Sequence, residues 1–282
     1  MPIEIYAIAL GTFAVGTTEF IMMGLLPNVA ADLSVPIPIA GLLVSGYALG
    51  VVLGAPVMTL GTARMDRKSL LVGLMALFVI GNLISALAPN YETILAGRIV
   101  SSLMHGAFFG VGSVVGAQLV PKEKQARAIA LMFSGLAFSN ILGVPLGTAL
   151  GQYVSWRASF ALISILGLMS GTFLFFALKP QIPDQVGAVS KELSVFQCKE
   201  VWLALATTTF GFGGVFVVWT YIAPLLREAT GLSPNQMTFA LFLYGIGLTL
   251  GNHVMGRMCD KSLKLSLYGI LGALVFLMTI FS

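Results

Sequence analysis

The chain has 282 residues, 57% of them hydrophobic and 9% charged, with a net charge of +4. A soluble domain carries about 25% charged residues, so this composition excludes a water-covered globule and points to a membrane protein. The Lys and Arg residues are spread in small groups, which excludes a nucleic-acid-binding patch.

Nine apolar runs are long enough to cross a bilayer. They are predicted as helices at 5–27, 39–60, 69–88, 93–119, 126–150, 158–178, 201–223, 237–256 and 265–282. The fold class is therefore an all-α polytopic membrane protein. Pro36, Pro38, Pro89, Pro121, Pro180, Pro183 and Pro234 break the connectors. The longest connector, 179–200, is polar and is read as a cytoplasmic linker. It separates a six-helix domain, 1–178, from three helices of an incomplete second domain, 201–282. Met1-Pro2-Ile3-Glu4 lacks the basic n-region of a cleavable signal, so the first run is expected to be retained.

Only Glu19 and Arg98 carry charge in the interior of these runs. Charge in hydrocarbon costs a few kcal/mol or more and survives where it faces a polar interior or a partner. In the first span, Thr12, Gly16, Glu19 and Met23 share one helical face, small and polar, that points into a bundle. Glu19 suits a site of reversible protonation; it also suits a structural, hydrogen-bonded carboxylate. The second span carries the small-residue series Gly46, Gly50 and Gly54, which permits close helix contact, and Pro56, which is expected to bend it.

In the fourth span, Arg98, Ser102, His105, Phe109, Gly112 and Gly116 form a second polar and small stripe. Arg98 is a candidate fixed counter-ion for a nearby carboxylate; the alternative is a guanidinium reaching the headgroups. The fifth span holds Asn140 and the series Gly143, Gly147 and Gly151, with a bend expected at Pro145. In the eighth span, Asn252 and His253 join Thr12, Met23, Ser102, His105, Phe109 and Asn140 as candidates to line a substrate cavity. Helix packing is the competing role for the asparagines, and for the two histidines as well.

With the N-terminus in the cytoplasm, the inside connectors hold Arg64, Arg67, Lys68, Lys122, Lys124, Arg127, Lys179, Lys191, Lys199, Arg257, Lys261 and Lys264. The outside ones hold Arg157 and Arg227. Positive charge favours the cytoplasmic side, so this distribution predicts that orientation.

A shift of 197 residues matches the chain to itself. Ala9, Thr12, Phe13, Gly16 and Pro27 fall on Ala206, Thr209, Phe210, Gly213 and Pro224. Tyr47, Gly50, Leu53, Gly54, Val57 and Met58 fall on Tyr244, Gly247, Leu250, Gly251, Val254 and Met255. Span 7 thus repeats span 1, and span 8 repeats span 2. An offset of six spans preserves membrane direction, as in transporters whose substrate sits between two parallel halves. The repeat predicts about three further helices beyond residue 282, so the chain is expected to be a fragment or a truncated product.

Cys198 and Cys259 have no CxxC or Cys/His metal spacing. No Walker loop, nucleophile elbow or HExxH is present, so an enzyme is not expected.

Gly16-Thr-Thr-Glu-Phe20, Gly24-Leu-Leu-Pro27, Ala40-Gly41, Ser45-Gly-Tyr47, His105-Gly-Ala-Phe-Phe-Gly110 and Trp156-Arg157 with Phe160 carry a family resemblance. On these motifs the chain resembles the major facilitator superfamily, within it the twelve-span drug/proton antiporters and bacterial inner-membrane efflux proteins of the AraJ/YdhP type. The resemblance implies a major-facilitator-type helical bundle and a monomer in the lipid bilayer. It also implies secondary active, proton-coupled efflux of a small solute (sugar, drug or metabolite) by alternating access. The proton is then the coupling ion, with no other cofactor and no metal. Glu19 and Arg98 inherit proton coupling, while Asp66, Arg67, Asp260 and Lys261 inherit a conformational latch. The sequence departs from the family pattern at three places: Asp66-Arg67 stands one residue late after Gly61, Ser101-Ser102 replace Gln-Gly after Arg98, and only Gly143-Val-Pro145-Leu-Gly147 survives of the antiporter motif. A facilitator without proton coupling and a non-transporting membrane protein remain alternatives.

Overall fold

A computed structural model describes residues 1–180 and 197–281, and their regular structure is helical. The helices are α1 (Ile3–Asp32), α2 (Ile37–Gly61), α3 (Arg67–Ala86), α4 (Tyr91–Gln118), α5 (Lys122–Tyr153), α6 (Trp156–Ala177), α7 (Lys199–Thr220), α8 (Ile222–Thr230), α9 (Pro234–Lys261) and α10 (Leu263–Phe281). By length and composition, α1 to α7 can each cross a membrane. Helices α9 and α10 occupy the places of the predicted eighth and ninth spans. Most of the predicted linker, residues 181–196, lies outside the described residues.

Side-chain caps fix several helix starts. Asp66 accepts from the Ser69 amide at 2.8 Å to begin α3, and Asn90 accepts from the Thr93 amide at 2.9 Å to begin α4. Ser155 caps α6, and Ser233 with Gln236 forms a capping box on α9. Each satisfies amides that the first turn leaves without carbonyl partners. Helix α1 outruns its predicted end, passing Pro27 to reach Asp32. There Asp32 is tied down. Arg157 donates to its Oδ2 at 2.6 Å, the Trp156 indole donates at 3.0 Å, and the same guanidinium donates to the Ala88 carbonyl at 2.9 Å. This knot joins the ends of α1 and α6 to the α3–α4 connector. It is half-exposed, so Arg157→Ala should cost about 1 kcal/mol, more at low salt than at high. Thermal unfolding of the solubilised protein at two ionic strengths checks this.

Lipid is as apolar as a leucine side chain, so helices associate in a bilayer by close packing. Helices α1 and α5 run parallel and interleave small residues. Gly16 faces Ser139 and Gly24 faces Thr148, while Gly143, Gly147 and Gly151 receive Thr17, Ile21 and Leu25. Gly50 and Gly54 of α2 seat Ser102 and the Leu103 backbone of α4. Both predicted glycine series are thus contact faces. A π turn, Ser139–Gly143, interrupts α5 just before Pro145. Proline has no amide hydrogen and its ring crowds the carbonyl four residues back, so the turn before it opens. Pro56 lies within a continuous α2.

Helices α1–α6 pack as one body with α1 the most buried. Helices α7–α9 meet it toward the end opposite the basic connectors. Tyr221 seats on Gly41, the Tyr153 hydroxyl donates to Asn235, and Thr238 donates to Gln152 at 3.4 Å. At mid-height Phe20 meets Phe216, with ring centroids 6.2 Å apart, and Gly245 abuts the π-turn backbone at Asn140 and Ile141. Helix α7 is exposed from Trp202 to Phe210 and becomes buried at Trp219 and Thr220. The two groups of helices converge at one end and part toward the basic end.

Candidate functional site

Glu19 lies midway along α1, one residue before the Phe20 that touches α7. Facing it, α4 is interrupted at Leu103 and Met104. The Ser101 and Ser102 hydroxyls just before the break donate to the carbonyls of Arg98 and Ile99, at 3.0 and 2.7 Å. Such local bonds bend helices. The helix restarts at His105, and that side chain reaches the site.

Four helices contribute to one polar chain. Glu19 Oε2 lies 3.9 Å from His105 Nε2, and His105 Nδ1 lies 3.1 Å from the Tyr47 hydroxyl. The Arg98 guanidinium sits 4.2 Å over the Tyr47 ring, a cation–π geometry. Arg98 Nη1 donates to the Thr18 carbonyl, and the Thr18 hydroxyl donates to Asn82 Oδ1 at 2.5 Å. Asn82 in turn donates to the Phe78 carbonyl at 2.9 Å. His105 stacks on Phe109 at 5.0 Å, and Phe109 meets Phe133 at 5.4 Å. Glu19 and His105 keep 24% and 15% of their side-chain surface open. The carboxylate, the imidazole and the phenol thus stand in sequence, with the Glu19–His105 separation longer than a hydrogen bond.

Arg98 is fully buried, and its Nε and Nη2 atoms have no hydrogen-bond partner. It makes no direct ion pair with Glu19; its guanidinium lies over the Tyr47 ring and on the Thr18 carbonyl. Arg98 is thus closed off, while Glu19 keeps part of its side chain open. Of the cavity candidates, His105 and Phe109 belong to this site. Thr12, Met23 and Ser102 are fully buried in helix contacts: Thr12 donates to the Met132 carbonyl at 2.6 Å, and Ser102 packs on Gly50. Small and polar residues serve helix contact as readily as a cavity. Asn140 is buried in the π turn and donates to the Leu136 carbonyl at 3.1 Å. Asn252 is exposed on α9. Asp66 caps α3 beside Arg67. The side chains of His253, Asp260 and Lys261 lie outside the described residues.

Tyr47, Thr18 and Asn82 are site residues that the charge pattern missed. Tyr47 did carry a signal, since it falls on Tyr244 in the repeat. Tyr244 stacks on Trp219 with centroids 3.5 Å apart, so the equivalent tyrosine has an aromatic partner in place of a cation. Among the described residues, no His, Cys, Asp and Glu grouping suits a metal ion.

The profile of the Major Facilitator Superfamily matches residues 8–282. The chain is 47% identical over 272 residues to the inner membrane transport protein YdhP of Escherichia coli K12, covering 96% of this chain and 70% of that protein. It is 31% identical over 268 residues to a chloramphenicol resistance protein of Streptomyces lividans, covering 93% of this chain and 68% of that one. The fold is similar to the crystal structure of the peptide transporter POT with alafosfalin, with a TM-score of 0.58 at 12% identity over 74% of this chain and 47% of that one. The chain thus spans about 70% of the length of YdhP and about half that of the solved transporter. Near-complete coverage by the family profile, a matching helical bundle and an inner-membrane relative at this identity place the chain in the Major Facilitator Superfamily, as a multi-pass inner-membrane protein.

Proposed function

We propose that the chain belongs to a proton-coupled secondary transporter that exports a small lipophilic solute by alternating access. The observation that carries this reading is the chain Glu19–His105–Tyr47–Arg98, open to water at its Glu19 end and adjacent to the Phe20–Phe216 contact between the two helix groups. Ionisable groups inside spans mark proton and substrate paths by default. Charge distribution supports a cytoplasmic N-terminus. The described arrangement then opens inward, with the Tyr153–Asn235 and Gln152–Thr238 contacts closing the outer end. Outward opening has to break those contacts.

Glu19 is the proton carrier in this reading, Arg98 the fixed opposite charge behind it, and Tyr47 with His105 the link between them. The ring pairs Phe20–Phe216 and Phe109–Phe133 suit an apolar ring-bearing solute, in keeping with the relative named for chloramphenicol resistance. Asp66 and Arg67, with Asp260 and Lys261, form the conformational latch on the cytoplasmic side. The protein acts as a monomer in the bilayer.

The test is solute-evoked proton flux. Purified protein in liposomes holding a pH-sensitive dye should show a pH change on addition of chloramphenicol, and empty liposomes should not. Solute movement without proton movement means a facilitator, and no movement of either means that this chain does not transport chloramphenicol. Tyr47→Phe keeps the ring under Arg98 and removes the hydroxyl facing His105. Losing one hydrogen bond of about 1 kcal/mol should slow the coupled flux about fivefold. A flux unchanged by the substitution would remove Tyr47 from the pathway.

A further inference from the structure

A lipid-facing groove lies on the far side of the first six helices. Helices α3 and α6 leave an open slot of about 490 Å³ between them, walled by Val72, Met75, Val79, Gly167, Gly171 and Phe176. Gly171 of α6 helps leave it open, since a Cβ there would touch only Met75, whereas Gly167 packs closely on Phe78. From Val72 to Ile80 the α3 wall rises about 12 Å. Ile80, Leu168, Phe175 and Phe176 around it are exposed and apolar. In a bilayer this surface meets acyl chains.

The basic end of the slot carries fixed positive charge. The Lys68 ammonium stands 4.7 Å over the Phe175 ring at the mouth. Arg67 precedes it, Arg64 lies in the same connector, and Lys179 follows the end of α6. The acid of this stretch, Asp66, caps α3. An apolar slot lying along hydrocarbon and a cation group at headgroup height are separate features, and one ligand satisfies both.

We propose that this groove holds an anionic phospholipid, with one acyl chain between α3 and α6 and its phosphate against Lys68. The charge selects the lipid, because each basic residue near the surface favours an anionic headgroup by about 1 kcal/mol. It also argues against a second copy of the chain as occupant. A two-fold partner packed on this face would bring its own Lys68 group to the same membrane level, against like charge.

Native mass spectrometry of the purified full chain tests this, using dioleoyl phosphatidylglycerol and dioleoyl phosphatidylcholine at equal concentration. The expected result is about fivefold more phosphatidylglycerol than phosphatidylcholine retained. Lys68→Ala should reduce that preference and leave phosphatidylcholine binding unchanged, while Lys68→Arg restores it. Ala76→Phe, which fills the slot from an exposed position on its wall, should lower retention of both lipids. Unfolding temperature confirms that each variant is folded. Equal retention of the two lipids by the unaltered chain overturns the proposal. So does an undiminished preference in Lys68→Ala, or a dimer that Ala76→Phe dissolves.

Discussion

Glu19→Gln should abolish proton-driven solute exchange while leaving the protein folded. Glutamine has the same length and shape as glutamate and fits the same partly open position in α1, but it cannot ionise. The His105 imidazole 3.9 Å away then faces a permanent neutral amide, and the chain back to Arg98 no longer ends in a proton-binding group. Loss of a positioned proton-transfer group costs about 10²–10⁴ in rate, so flux should fall to the level of empty vesicles. Downhill movement of chloramphenicol should persist, because the aromatic pairs Phe20–Phe216 and Phe109–Phe133 are untouched. Glu19→Asp retains an ionisable group but draws it back by one methylene, and should retain part of the coupled flux. The measurement is dye-reported proton movement beside solute movement in the same liposomes, with unfolding temperature as the control. Export against a gradient at full rate in Glu19→Gln would exclude Glu19 as the coupling site.

The second large effect is expected at Gly54. A Cβ there would overlap the Leu103 backbone, its carbonyl oxygen and Cα included. A flexible side chain can step aside, but helix backbone cannot do so without moving α4. Gly54→Ala should therefore destabilise the protein by about 1–3 kcal/mol, the usual cost of overpacking. Gly54→Leu should prevent a monodisperse preparation. The damage should also reach the site, because α2 carries Tyr47 and α4 carries His105, and separating the helices breaks their 3.1 Å contact. Gly251 is the internal control. It occupies the equivalent place in the repeat, yet nothing lies within 4 Å of a Cβ built on it. Gly251→Ala should change stability by no more than about 1 kcal/mol, in the direction of helix propensity. Thermal unfolding in detergent compares the two, and equal losses at both glycines would contradict the contact argument.

Much of this architecture was legible before any coordinates. Apolar runs located the spans, because a bilayer demands long stretches without charge, and prolines marked the connectors between them. The first span was placed to end at residue 27, five residues short of the observed end of α1. What holds the helix beyond that point is Asp32 bound to Arg157, a contact across 125 positions that no local pattern reveals. The stripe through Thr12, Gly16, Glu19 and Met23 correctly marked an inward face. An inward face can meet another helix or an opening, however, and periodicity does not tell these apart: Thr12 and Gly16 meet α5, while Glu19 meets the site. Arg98 was found through its charge. Tyr47 was missed as a site residue because a tyrosine among apolar residues reads as packing, and its value here depends on lying between two groups from a different helix. The break in α4 was likewise unseen, although Ser101-Ser102 was noted as a departure from the family pattern.

The π turn at Ser139–Gly143 has one further consequence. A π turn holds one residue more than the α turn it replaces. Deleting a single residue there would turn it into regular helix and leave the flanking segments facing nearly the same neighbours. The same deletion a few turns away would swing everything beyond it by about 100° around the axis. Such a bulge is a tolerant point for length variation in an otherwise tightly matched helix, and gains and losses of single residues during the descent of this chain's relatives should concentrate there.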